Sequence, residues 1–178
     1  HRDVGVLGAL LLLDNIYYEI ITDLNHLCPD MIRLIFRIQP YSKFCLISDS
    51  NYISGLPAGT YIRYGRENYA DEKGLILNSD GRICGSGSWV LRNIRQLIQV
   101  VGIPAEQAFY MSSLYPARYL GIDQETGSLR NGKRADIIFV DEDFVCQRTF
   151  VGGNQVFDRK KDMPEKILNA EAMKLKVK

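Results

Sequence analysis

Residues 16–49 read IYYEIITDLNHLCPDMIRLIFRIQPYSKFCLISD, and the fold class is set here. Residues 16–22 are rich in β-branched and aromatic side chains, the composition of a buried strand. Pro29 stands where proline is favoured, in the first turn of a helix, and Ile32, Ile35 and Phe36 then share one face. Residues 43–48 (KFCLIS) form a second short apolar strand. Strand, helix and strand, with polar residues closing each strand, is the βαβ rhythm of a parallel α/β sheet.

Downstream, residues 54–59 are a loop punctuated by Gly and Pro. Residues 61–77 alternate weakly and predict short strands or a hairpin, and Asp80-Gly81 marks a turn. Ser88 is placed to cap a helix whose apolar stripe is Val90, Leu91, Ile94, Leu97, Ile98 and Val101. Gly102 ends it. Pro104 opens another helix at its first position, and Pro116 predicts a break, followed by a short helical segment over 117–120 that Gly121 stops. Beyond residue 121 the character changes. Residues 127–129 and 135–140 flank Asn131-Gly132, a hairpin signal, and residues 144–151 and 154–157 flank Gly152-Gly153. The expected division is therefore residues 1–121 for the α/β part, 122–158 for a small antiparallel β unit, and 159–178 for a charged tail. That tail carries seven Lys/Arg against three Asp/Glu, and it reads as a solvated terminal helix or frayed end.

Bulk properties narrow the function. The 178 residues are 46% apolar and 24% charged, as in an ordinary globular protein, and the net charge of +1 asks for no nucleic-acid partner. The longest apolar run, residues 4–13, is too short to span a bilayer. Cys28, Cys45, Cys84 and Cys146 form no CxxC pair, so they read as isolated thiols of a reducing cytoplasm. The chain starts at His1 and passes almost at once into that apolar run, which leads us to expect further sequence upstream.

Only His1 and His26 are histidines, so no paired-histidine metal motif is present. Asp49 follows directly on the strand KFCLIS. In a β/α barrel the C-terminal strand ends face the active-site mouth, where a carboxylate can bind a metal or take a proton from metal-bound water. A turn-forming role is the alternative. His26 lies just past the first strand with Asp23 three residues earlier; it could bind a substrate oxygen or a metal, or be structural. Arg2 suits bidentate phosphate recognition, or is simply solvated. Gly85-Ser86-Gly87 is either an anion cradle or a plain loop-to-helix turn.

Seven blocks in order resemble the second half of the N-acetylglucosamine-6-phosphate deacetylase family of the amidohydrolase superfamily. Residues 1–5 with Gly8 and Ala9 resemble its GREPGxxGA segment, residues 23–26 its DGxH, residues 48–50 its TDA, and residues 83–86 its LSGS. Residues 111–121 (MSSLYPARYLG) resemble MATxNPARxLG, residues 127–141 resemble GxIxxGKxADLVVLD, and residues 149–153 resemble the usual end of the fold.

The resemblance implies the C-terminal part of a (β/α)8 TIM-type barrel plus strands of a small β-sandwich. It implies hydrolysis of N-acetylglucosamine 6-phosphate to glucosamine 6-phosphate and acetate, with a divalent metal, zinc or iron, as cofactor. Asp49 would be the catalytic acid/base and a candidate metal ligand, the main ligands lying upstream. Asp23, Asn25 and His26 would bind substrate, Arg2 its phosphate, and Ile83, Cys84 and Gly85 would line the sugar site. A cytoplasmic homodimer, with no nucleic-acid or membrane partner, is expected for the complete enzyme, and the isolated chain is expected to be inactive. The departures are SDS for TDA, Leu24 for the glycine of DGxH, ICGS for LSGS, and Asp3-Val4 for Glu-Pro. The rival readings are another amidohydrolase, such as a cyclic amidase, and a degenerate non-catalytic module.

Overall fold

A computed structural model of the chain describes residues 2–163; His1 and most of the expected charged tail lie outside the described residues. The arrangement is mixed α/β. Strand β1 (Tyr18–Ile20) pairs in parallel with β2 (Phe44–Leu46), matching Tyr18 with Phe44 and Ile20 with Leu46. Both are shorter than the apolar runs that predict them, although the Ile47 amide still donates to the Ile20 carbonyl. The apolar run 4–13 forms a helix ahead of them, α1 (Gly5–Leu11), which buries only Leu11; Val6 remains 80% exposed. Between the two strands runs α2 (Pro29–Ile38), opened by Pro29 as expected. Its Ile32 and Ile35 are buried, and Phe36 meets Phe44 edge-on at 5.0 Å, while Phe44 stacks on Tyr18 at 4.9 Å.

The next amphipathic helix, α3 (Val90–Gln96), widens into a π-helical turn, Leu97–Val101, closed by Gly102 in the left-handed conformation. Arg33 of α2 caps this end by donating to the Val101 carbonyl at 3.1 Å and the Val100 carbonyl at 2.5 Å. Ser88 does not cap α3. Trp89 holds that position, and the Ser88 hydroxyl instead donates to Asn93 Oδ1 at 2.6 Å.

The expected break at Pro116 falls earlier. Helix α4 (Ala105–Ser112) ends, and α5 (Leu114–Tyr119) begins, on either side of Ser113, whose φ of −140° leaves the helical region. Proline clashes with the turn before it but fits the first turn of a helix, where its missing N–H costs nothing. The chain therefore restarts the helix just ahead of Pro116. Helices α2 to α5 pack around β1 and β2 in one core that includes Leu97, Met111 and Tyr115.

After β2, four strands form an antiparallel meander: β3 (Gly59–Arg63), β4 (Arg66–Ala70), β5 (Leu75–Asn78) and β6 (Ile83–Ser86). Ile53, Ala70 and Ile76 make its small separate core. A third sheet joins β7 (Ile137–Val140), β8 (Cys146–Val151) and β9 (Asn154–Asp158), followed by the short α6 (Arg159–Asp162).

The hairpin expected across Asn131-Gly132 does not form. Residues 127–129 lie outside any strand, and β7 pairs with β8. Lys133 explains the alternative. Its ammonium donates to the carbonyls of Asp123 and Thr126 and to Ser128 Oγ, winding residues 123–128 into a compact loop. Asp136 meanwhile accepts from the Gly152 amide and from Arg134, tying the start of β7 to the β8–β9 turn. The GKRAD run thus acts as a clamp. Replacing Lys133 with Met should cost about 1–3 kcal/mol of stability. Hydrogen exchange should quicken in residues 123–128 while β8 stays protected; unchanged exchange there would contradict the clamp.

Candidate active site

The parallel register sets the site. Asp23 and Asp49 each stand three residues past the last paired residue of their strand, Ile20 and Leu46. The two carboxylates therefore leave the sheet at the same end, but their surroundings differ. Asp23 is 3% exposed. Its Oδ1 accepts from the amides of Asn25 and His26, both at 3.0 Å, and its Oδ2 accepts from His26 Nδ1 at 2.9 Å and Ser86 Oγ at 2.7 Å. Burial pushes this carboxyl's pKa up, but those four donors outweigh it and leave it below the usual carboxylate value.

These bonds change the role of Asp23. A carboxylate with all its acceptor directions filled inside the protein has little left for a substrate, so Asp23 positions other groups. It orients His26, whose Nδ1 must donate because an ionised carboxylate only accepts. Nε2 has no partner among the described residues and is free to meet a ligand. Asn25 is half-buried and gives Asp23 its backbone amide; Leu24 between them holds a φ of +62°. That is the left-handed conformation natural to the glycine it replaces.

Asp49 is exposed, holds a φ of +49°, and its carboxylate makes no hydrogen bond among the described residues. Its backbone is pinned nonetheless. The Asp49 carbonyl accepts from the Ser86 amide at 3.0 Å, and Ser50 bridges in parallel to Ser86. Ser86 is fully buried and joins both strand ends, through its hydroxyl to Asp23 and its amide to Asp49. Gly85 makes that approach feasible. Its φ is +133°, and a Cβ there would sit 3.2 Å from the Asp49 carbonyl oxygen and 3.0 Å from Asn51 Nδ2.

Of the other expected sugar-lining residues, Cys84 gives its carbonyl to Asn51 Nδ2 and its thiol to Asn68 Oδ1, and Ile83 is exposed. Arg2 is exposed, and among the described residues its side chain makes no hydrogen bond or ion pair with Asp23, His26 or Asp49. Behind the site runs a buried polar layer that the motifs do not single out. Asn93 accepts from Ser88, donates to the Ile47 carbonyl at 3.2 Å, and takes the Thr22 hydroxyl on its own carbonyl. Its signal is positional: three residues after Val90 and four before Leu97, Asn93 lies on the apolar face of α3, where an amide needs partners.

The amidohydrolase family model matches residues 11–156. The chain is 37% identical over 158 residues to an N-acetylglucosamine-6-phosphate deacetylase of Vibrio furnissii, a match covering 89% of this chain and 39% of that protein. It is 31% identical over 153 residues to a putative N-acetylgalactosamine-6-phosphate deacetylase of Escherichia coli K12, covering 86% of this chain and 90% of that protein. The crystal structure of an N-acetylglucosamine-6-phosphate deacetylase from Thermotoga maritima superposes with a TM-score of 0.80 at 29% identity, over 89% of this chain and 43% of that one. The chain thus spans about two fifths of the first relative and nearly all of the second.

The buried carboxylate has a measurable consequence. Because the folded pKa of Asp23 lies below the ordinary value of 3.8, its stabilisation is complete above that value and is lost as pH falls below it. Asp23→Asn presents an NH2 to groups that need an acceptor. It should lower the urea midpoint at pH 7 and shrink the further loss as pH falls below 3.8, both read from unfolding curves. An equal acid loss in variant and parent would contradict the assignment.

Proposed function

The chain belongs to the amidohydrolase family, and from that premise we propose that it carries the acid/base part of a deacetylase site for N-acetyl amino-sugar 6-phosphates. The observation that carries this is the exposed, backbone-pinned carboxylate of Asp49 together with an oriented His26, each following the C-terminal end of one of two paired parallel strands. Such strand ends form the active-site face of (β/α)8 barrels. On this reading β1, β2 and their helices are part of such a barrel, and residues 122–158 contribute strands of a small β-sandwich.

Enzymes of this family generally use a divalent metal. Among the described residues no three His, Cys, Asp or Glu side chains converge to hold one. Asp49 could lend a single oxygen, and a full zinc or iron site needs ligands beyond the described residues. Proton transfer and substrate binding fall to this chain's own groups. Asp49 takes the proton of the attacking water and returns it to the departing amine. His26, with Nδ1–H committed to Asp23, offers Nε2 as an acceptor for a substrate hydroxyl or N–H while neutral, and as a donor once protonated. Ile83, Cys84 and Gly85 bound the sugar through backbone, and Arg2 is assigned the 6-phosphate. The cytoplasm is the proposed setting, consistent with four free thiols.

The test is acetate release from N-acetylglucosamine 6-phosphate by the complete protein. The galactosamine epimer is assayed beside it, because the Escherichia coli relative of similar length is named for that sugar. Asp49→Asn should lower kcat by about 10²–10⁴-fold, the range for a lost general acid/base. Undiminished turnover in that variant would remove Asp49 from the chemistry, and no turnover of either epimer by the parent protein would favour the non-catalytic alternative.

A further inference from the structure

Gln96 is the last residue of α3, and its Nε2 donates to the Asp23 carbonyl at 3.3 Å. Its Oε1 is buried and meets no donor among the described residues. Turning the carboxamide over would set two oxygens against each other, so the donor faces Asp23. A buried acceptor left unpaired is destabilising, and its retention calls for a reason other than general stability. Asn93, three residues earlier and so on the same side of the helix, donates to the Ile47 carbonyl at 3.2 Å. One turn of α3 thus holds both chain exits, Asn93 the one after β2 and Gln96 the one after β1.

The bond to Asp23 falls on a strained peptide. The Asp23 carbonyl and the Leu24 amide share one peptide plane, and the φ of Leu24 is the rotation that joins this plane to the Leu24 Cα. That φ is +62°, in the left-handed region that leucine enters only at a cost. Holding the carbonyl holds the plane, and with it the turn that sends the Asn25 and His26 amides back to Asp23 Oδ1. The holder is itself fixed. Directly after Gln96 the helix widens into its π-helical turn, where Leu97 and Val101 are buried. The end of that turn is gripped by Arg33 of α2, the helix that follows the His26 turn. Such π-helical turns gather at functional sites.

We propose that Gln96 is a positioning residue for His26: its carboxamide locks the 23–24 peptide in the orientation that a left-handed Leu24 requires. The consequence for substrate binding rests on the deacetylase reading; the effect on the turn does not. Gln96 acts through Asp23 and Leu24, and its unpaired Oε1 is tolerated because the same side chain fixes the turn that carries His26.

The test compares the parent, Gln96→Met, Gln96→Glu, Leu24→Gly and the double variant Leu24→Gly with Gln96→Met, each in the full chain, by hydrogen exchange and melting temperature. Gln96→Met removes the unpaired acceptor together with the donor, so the melting temperature should not fall. The Asn25 and His26 amides should nevertheless exchange faster by about tenfold or more. The Ile47 amide, bonded to the Ile20 carbonyl, should keep its protection. Gln96→Glu, equal in size but without the donor, should loosen the same two amides. With glycine at position 24 the left-handed turn carries no side-chain penalty, so Gln96→Met should then change exchange far less. Unchanged exchange at Asn25 and His26 in both Gln96 variants overturns the proposal. So does an undiminished effect in the Leu24→Gly background. Faster exchange throughout the core with a lower melting temperature also overturns it, because that marks an ordinary structural contact. In the complete protein, Gln96→Met should raise KM for N-acetylglucosamine 6-phosphate by about tenfold and leave kcat within about twofold. A fall in kcat with KM unchanged would overturn the link to substrate binding. If the parent turns over no substrate, the deacetylase reading fails, and the exchange measurements still decide the role of Gln96.

Discussion

The site is organised around the buried carboxylate of Asp23. A carboxylate removed from water must be met by donors, and here they come from two distant segments. Three are its own neighbours: the Asn25 amide, the His26 amide and the His26 ring. The fourth is the hydroxyl of Ser86, 63 residues away in sequence. That last bond draws the end of β6 against the end of β1, and the Ser86 amide then fixes the Asp49 backbone at the end of β2. One buried charge thereby determines where His26 points, where the meander docks, and where Asp49 leaves the sheet.

The backbone around this clamp is held in unusual conformations. Leu24 and Asp49 both have positive φ, and for a residue like Leu24 that costs about 1–2 kcal/mol. Leu24 is packed against the main core, so burial of its side chain offsets part of that cost. Strain of this kind persists when the surroundings over-determine it, and it gathers at functional sites. Asn93, Ser88 and Thr22 supply those surroundings as a buried polar layer with satisfied partners.

The βαβ unit is legible in the sequence because its signals are local: β-branched runs, Pro29 at a helix start, and Ile32 and Ile35 on one face. Asp49 and His26 are legible by the same logic, as polar residues directly after apolar strands. What escapes depends on contacts across the chain. Nothing near Asn131-Gly132 reveals that Lys133 will gather carbonyls from residues 123 and 126, so a strong hairpin signal becomes a plain turn. Ser88 looks like a cap because the sequence does not announce Asn93 as its partner. Pro116 does mark a helix break, but its tolerance for a first turn moves the break to Ser113. Asp23 stands out by its motif, but its burial among four donors does not, because one of them, Ser86, lies 63 residues away.

The decisive quantity is the tautomer of His26, read from ¹⁵N chemical shifts of its imidazole at neutral pH, with His26→Gln separating its signals from those of His1. Asp23 as the organising charge predicts a proton on Nδ1, with that preference weakened in Asp23→Asn. A ring without a proton on Nδ1 in the parent protein, or one unchanged in Asp23→Asn, would contradict the arrangement from which the rest of the site is built.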